Sequence, residues 1–363
     1  MRHFLFLLLL YTWPLTAADL RLERQVARLF MIGVPGQSLR CDSDYARTIN
    51  ALPPGGVILF DEAAGDPMRA NIRSPKQLAS LTRSLMQCTG RPLLIAVDQE
   101  GGRVRRLRPE AGFVDLPAAK EMANLPPQQA YDLYVRAAKQ MHRVGINVNF
   151  APVLDLAINP DNPVIAGLGR AYGKDPETVT LYASLFADAL RANGIVPVFK
   201  HFPGHGSAAG DTHKGFVDVT TRWQRIELFP YLALFEPGGR QMVMTAHIFN
   251  KNLDPYLPAT LSKRVLHDLL REKMGFDGVV VTDALGMRAI ADRYGPEEAA
   301  VRALEAGADL LLFAEVRDAS RYRKLVAAVA KAVREGRLSR QRLDEAAARL
   351  KRLKTAYGIG EKR

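Results

Sequence analysis

Ionisable side chains in this chain recur just after apolar runs, in combinations that suit proton transfer and nucleophilic attack. Asp98-Gln99-Glu100-Gly101-Gly102-Arg103-Val104-Arg105-Arg106 is the first such segment, and Asp155 and Arg170 follow singly. Lys200-His201-Phe202-Pro203-Gly204-His205-Gly206 then leads into Asp211-Thr212-His213, and His247 and Asp283 complete the set. An imidazole titrates at about 6.5, so it can give or take a proton near neutrality. Asp211, two residues before His213, is placed to orient that ring and favour its charged form, as the acid member of a triad does. Carboxylates supply nucleophiles and bases. Taken alone, an Asp in such a position usually caps the next helix, and a lone His is usually a satisfied surface or core residue. Their joint placement after five apolar runs marks one functional rim.

The elements that position them alternate regularly. Apolar runs at Leu29–Val34, Gly56–Phe60, Leu93–Val97, Val148–Leu156, Val196–Phe199, Met242–Ala246, Val279–Thr282 and Leu310–Phe313 are short and rich in Val, Ile and Leu. They lack strict alternation, as strands buried on both faces do. Helical stretches lie between them at Pro75–Gln87, Pro127–Val144, Pro176–Ala192, Ser262–Lys273 and Pro296–Ala306, with Gly145, Gly194, Gly275 and Gly307 as stop signals. About eight βα units predict a (β/α)8 TIM-type barrel, whose chemistry belongs at the C-terminal ends of its strands. An open doubly wound sheet is disfavoured by the count of eight and by the lack of a G-x-G-x-x-G turn after the first run. Ala319 to Tyr357 reads as a C-terminal helical extension of two helices broken at Gly336, with Ser339 as an N-cap.

The 363 residues are 48% hydrophobic and 24% charged, which excludes disorder, collagen and a disulfide-stapled miniprotein. Met1-Arg2-His3, the apolar run Phe4–Trp13 and the small residues Thr16-Ala17-Ala18 read as a cleaved export signal over residues 1–18, with residues 19–363 a single barrel domain. The run is too short to span a bilayer core of roughly 30 Å, and no Cys follows it to carry a lipid. A periplasmic or secreted protein with no stable membrane anchor is expected. In that oxidising compartment Cys41 and Cys88 could pair, and two free thiols are the alternative.

The segments at the strand ends together resemble the family 3 glycoside hydrolases, in particular their single-domain bacterial β-N-acetylhexosaminidases. The matching stretches are Asp98–Arg106, Asn162–Ile165 with Gly169–Gly173, Lys200–Gly206 (KHFPGHG), Asp211–His213 and Gly275–Met287 (GFDGVVVTDALGM), in the family's order. The resemblance implies that Asp283 is a nucleophile and that His213, paired with Asp211, is the general acid/base. It also implies that Asp98, Arg106, Arg170, Lys200 and His201 hold sugar hydroxyls. The expected partner is an N-acetylglucosamine-containing carbohydrate cleaved with retention, as in peptidoglycan fragments or chito-oligosaccharides, with no metal or other cofactor and a monomeric chain. Retaining hydrolysis needs a carboxylate to trap the oxocarbenium-like centre and a donor for the departing oxygen, a task a protonated His can perform. Ser207-Ala208-Ala209-Gly210 before Asp211 and Ala166-Gly167-Leu168 before Arg170 depart from common family patterns, so both loops are expected to follow their own paths.

Rival readings are a phosphorylase or a broader β-glycosidase of the same family, a metal-dependent barrel hydrolase using His201, His205, Asp211, His213 and His247, and an inactive sugar-binding protein. The metal set lacks an i, i+2 or i, i+4 His pair on a regular element. The formal charge of +12 first suggests nucleic acid, yet Arg317–Arg363 alone carries 15 Lys+Arg against 5 Asp+Glu. No aromatic platform accompanies it. The excess is expected to be a solvated helix face, with weak attraction to an anionic envelope polymer as a second account and no nucleic-acid partner.

Overall fold

The eight apolar runs become eight parallel strands in the computed structural model, which describes residues 17–61 and 70–360. They are β1 (Phe30–Gly33), β2 (Gly56–Asp61), β3 (Leu94–Val97), β4 (Val148–Asn149), β5 (Val196–Phe202), β6 (Met242–Thr245), β7 (Val279–Val281) and β8 (Leu311–Phe313). Neighbours pair in chain order, β8 returns beside β1, and a parallel bridge between Val281 and Leu310 closes the ring. Every residue of these strands is buried, because the outer helices cover one face and packed side chains fill the interior. The fold is the expected TIM-type barrel.

Local chemistry sets the helix boundaries. Ser74, Asp175, Asp318 and Ser339 each accept a hydrogen bond from the backbone N–H three residues on, opening the helices Pro75–Thr89, Pro176–Ala192, Ala319–Arg334 and Arg340–Ala356. Ser262 caps Val265 in the same way, so the helix expected from Ser262 spans Arg264–Lys273 and has π geometry.

The expected strand Val148–Leu156 ends at Asn149, because Pro152 brings no N–H to a ladder, and pairing resumes only as an isolated parallel bridge between Val153 and Lys200, where the Leu154 N–H donates to the Lys200 carbonyl at 2.7 Å. β5 runs three residues beyond its expected end, and its register against β6 shifts between Phe199 and Phe202. In a regular strand Lys200 and His201 would point to opposite faces. Here both reach the same cavity. The helices Ala17–Ala27 and Asp44–Ala51 were not expected. The expected leader lies outside the described residues except for Ala17 and Ala18, which open the first of these helices. Among the described residues no helix is long and apolar enough to cross a membrane.

Two features brace the barrel. Cys41 and Cys88 form a disulfide with Cα atoms 5.0 Å apart, tying the segment after β1 to the end of Pro75–Thr89. Helix Arg340–Ala356 lies across the N-terminal ends of the strands, which corrects the expectation of a merely solvated face. Arg342 and Arg349 converge with Arg271 on the fully buried Asp309 at 2.6, 3.3 and 2.6 Å. Arg352 pairs with Asp277 at 2.8 Å, and Lys354 donates to the carbonyls of Gly55 and Pro92 at 3.1 and 2.9 Å. Part of the basic excess is therefore structural.

Candidate active site

The C-terminal rim of the barrel surrounds a cavity of about 560 Å³ that reaches all eight residues assigned from the sequence. Its floor is a lattice of alternating charge. Lys200 lies 3.0 Å from Asp98 and 2.7 Å from Glu100, and Arg170 grips Glu100 with two bonds of 2.7 Å. Burial pushes the Glu100 carboxyl up, but Arg170 and Lys200 outweigh it and hold the group at about 2. Lys200 is likewise raised, since its carboxylate neighbours overcome the burial that would lower it. Both signs of this lattice are therefore fixed at any physiological pH.

His201 continues the lattice. Its Nδ1 is 2.6 Å from Asp155, and its Nε2 is 3.3 Å from an Arg170 nitrogen. Arginine can only donate, so Nε2 presents its lone pair and the ring proton sits on Nδ1 toward Asp155. Asp155 also accepts the backbone N–H groups of His201 and His205. Burial raises its carboxyl, but these His201 and His205 contacts hold it below the usual range. Arg106 is fixed from three sides: over the Phe60 ring, 3.7 Å from Asp61 and 3.8 Å from Asp98. The Gly101-Gly102 turn has a packing reason, because a Cβ on Gly101 would run into the Pro117 carbonyl and its φ of +110° suits only glycine. Gly206 lies equally close to the Leu156 carbonyl.

Asp283 and the Asp211–His213 pair complete the cavity. Asp283, after β7, is half-buried, and its Oδ1 accepts the Ala284 N–H at 2.8 Å. Burial pushes this carboxyl up, while His247, His201 and His213 bring it below the usual value, so it stands ready as an anion. One Asp211 oxygen accepts the His213 backbone N–H at 2.9 Å and faces Nδ1 of the ring at 2.9 Å. That contact directs Nε2 away from Asp211. The His213 side chain is 69% exposed at the mouth, where a leaving group and water can both reach it. The loop before it is anchored by Asn159, which donates to the Ala208 carbonyl, and by Ala289, which donates to the Thr212 carbonyl. The lead-in Ala166–Leu168 forms a single tight turn that delivers Arg170.

Glu100, Asp155 and Asp61 were not among the assigned residues. The first two stand in segments the sequence singled out, and Glu100 was legible from Asp98-Gln99-Glu100, whose i, i+2 spacing faces both carboxylates the same way along an extended chain. Asp61 was legible too, since it directly follows the apolar run Gly56–Phe60. Glu227 is a further buried acid, accepting the Gly206 N–H at 3.0 Å beneath the His205 turn, and burial pushes it up to about 7. The five residues of the metal reading are not gathered as ligands. His247 is held between the Thr260 hydroxyl at 2.7 Å and the Ala284 carbonyl at 2.9 Å, and burial pushes His205 down to about 4. Among the described residues no three His, Cys, Asp or Glu side chains are arranged to hold an ion.

The model of the glycosyl hydrolase family 3 N-terminal domain matches residues 21–353. The chain belongs to this family. It is 33% identical to β-hexosaminidase A of Pseudoalteromonas piscicida over 357 residues, covering 88% of this chain and 58% of that protein. It is 40% identical to β-hexosaminidase LpqI of Mycobacterium tuberculosis over 274 residues, 72% of this chain and 68% of the relative. The family 3 β-N-acetylglucosaminidase of Paenibacillus sp. FPU-7 superposes with a TM-score of 0.84 at 36% identity, over 95% of this chain and 63% of that one. The β-N-acetylhexosaminidase of Beutenbergia cavernae gives 0.82 at 31% identity, over 93% and 98%. The chain thus spans less than two thirds of the Pseudoalteromonas and Paenibacillus proteins.

Proposed function

We propose that this family 3 protein is a retaining exo-β-N-acetylglucosaminidase that removes terminal N-acetylglucosamine from peptidoglycan fragments or chito-oligosaccharides. The observation that carries the reading is one cavity holding an ionised, half-buried Asp283 together with an exposed His213 oriented by Asp211. The names of the hexosaminidase relatives support the sugar.

The chemistry follows from the geometry. Asp283 Oδ1 is occupied by the Ala284 N–H, which leaves Oδ2 to attack the anomeric carbon. As the Oδ2–C1 bond forms, the glycosidic C1–O bond breaks and its electron pair leaves with the aglycone oxygen. That oxygen takes the proton from Nε2 of His213, whose Nδ1–H stays on Asp211. In the second half, neutral His213 takes a proton from water, the water oxygen bonds to C1, and Asp283 departs as a carboxylate. The lattice supplies sugar contacts of both kinds: Asp98 accepts hydroxyl protons, and Lys200, Arg170 and Arg106 donate to hydroxyl oxygens. His201, whose Nε2 lone pair already takes an Arg170 N–H, holds that guanidinium in place beside the sugar.

The Cys41–Cys88 disulfide fits an oxidising compartment and so supports an exported location. Release of 4-nitrophenol from its β-N-acetylglucosaminide tests the reading, with and without phosphate. Hydrolysis independent of phosphate, lost in Asp283→Ala, is expected. Sugar 1-phosphate as the product would instead mark a phosphorylase, and absence of turnover on this glycoside, chitobiose and muropeptides would overturn the assignment.

A further inference from the structure

At the end of the barrel opposite Asp283, the connections entering β1, β2 and β3 frame a second cavity of about 530 Å³ under helix Arg340–Ala356. Arg28 precedes β1, Arg91 precedes β3, and Lys351 and Lys354 reach in from the helix, one turn apart. No carboxylate lines the cavity among the described residues. This contrasts with the rest of the helix, where Arg342, Arg349 and Arg352 each meet an Asp. Arg28, Arg91 and Lys351 are exposed, and among the described residues their side chains meet no hydrogen-bond or ion-pair partner, so their donors face solvent.

The cations here repel one another. Burial pushes the Lys354 ammonium down to about 8, with the charge of Arg28 adding to the effect, and Arg28 is itself lowered by burial and by Arg91. Two of the three Lys354 N–H bonds go to the Gly55 and Pro92 carbonyls, which hides the nearby acceptors and leaves one donor for the cavity. Pro53, Pro54 and Ile359 supply an apolar wall beside the charges. A concave site with four cations, occupied carbonyls and no counter-ion among the described residues is complementary to a multiply charged anion. Two planar arginine forks match the oxygens of a phosphate better than a single carboxylate would occupy them.

We propose that this cavity binds a phosphate-bearing anion through Arg28, Arg91, Lys351 and Lys354. The ligand class is a phosphate ester or diphosphate with a small apolar portion, whether free or presented as a lipid headgroup. The site stands apart from the glycosidase reading, because it shares no residue with the cavity around Asp283.

The test is thermal unfolding of the full chain in sodium pyrophosphate against sodium chloride at equal ionic strength. Pyrophosphate at about ten times its dissociation constant is expected to raise Tm by about 2 °C in the wild type and not in the Arg28→Gln/Arg91→Gln variant. That variant should match or exceed the wild-type Tm in chloride, since it loses only repulsion, and should hydrolyse a soluble substrate at the wild-type rate. A control with equal charge loss elsewhere on the C-terminal helices, Arg321→Gln/Lys324→Gln, should keep the pyrophosphate response. If the double variant is poorly folded, Lys351→Gln alone should weaken pyrophosphate binding several-fold. Sedimentation with phosphatidylglycerol vesicles but not phosphatidylcholine vesicles, lost in the same variant, would identify a headgroup. A pyrophosphate response without sedimentation would identify a soluble ester. The proposal fails if pyrophosphate does no more than chloride in the wild type, or if the cavity variant and the control respond alike.

Discussion

Replacing Glu100 by Gln should separate the electrostatic lattice from the reacting groups. Glu100 makes no hydrogen bond to Asp283 or His213, yet it accepts three charge-assisted bonds of 2.7 Å from two buried cations. Its carboxyl is held at about 2 against an ordinary 4.5, and at 1.36 kcal/mol per unit the charged form gains about 3 kcal/mol in the folded state. Because the folded value is depressed, this contribution is present above about pH 4.5 and is lost as the pH falls toward 2. Glu100→Gln removes the charge at every pH and turns an amide N–H₂ toward cations that cannot accept from it. Stranding Lys200 and Arg170 in this way should cost roughly 3–5 kcal/mol, seen as a fall in Tm of roughly 4–7 °C. The freed cations should also lose their aim at the sugar, raising KM about 10- to 100-fold, equivalent to one charged hydrogen bond. The assay pairs calorimetry with kinetics on the nitrophenyl glycoside, repeated at pH 3, where the wild type should have lost part of its advantage. A variant within 1 kcal/mol of wild type and with unchanged KM would refute the claim that Glu100 organises the lattice.

The remaining predictions concern separate parts of the molecule. His213→Ala should lower kcat/KM, which reports the glycosylation step, roughly 10²- to 10⁴-fold on chitobiose and much less on the nitrophenyl glycoside, whose leaving group needs little protonation. Equal losses on both would contradict a general acid. Reducing the Cys41–Cys88 bridge should lower stability in urea by about 2–4 kcal/mol, and thiol titration of the unreduced protein should find no free thiol. Asp309→Asn leaves three arginines around a neutral group, so stability should drop by about 3 kcal/mol with KM unchanged. A change confined to KM would place Asp309 in the wrong role.

What was legible in the sequence is what depends on short stretches of chain. Strand runs, the Ser339 cap, and the ionisable residues beyond each run all write themselves locally. The barrel order follows because chain-neighbouring βα units pack side by side. What was not legible depends on pairs brought together from afar. Arg170 and Glu100 are 70 residues apart, and Asp309 meets Arg342 and Arg349 only once the last helix crosses the barrel floor. The basic C-terminus therefore read as solvated charge, although an isolated buried Asp was waiting for part of it. The apolar run Val148–Leu156 overstated β4, because hydrophobicity continues through Pro152 while the ladder breaks there and returns only as a single Val153–Lys200 bridge. The Cys41–Cys88 pairing was undecidable because a spacing of 47 residues carries no geometry.

The central claim, that Asp283 forms a covalent glycosyl ester, is tested most directly by trapping. A 5-fluoro-N-acetylglucosaminyl fluoride carries a good leaving group and destabilises the oxocarbenium-like state, so the ester should form faster than it hydrolyses. Peptide mapping by mass spectrometry should then find one fluorosugar on Asp283, with activity lost in proportion. A label on another residue, or rapid turnover through the sugar's own acetamide with no protein adduct, would contradict the account.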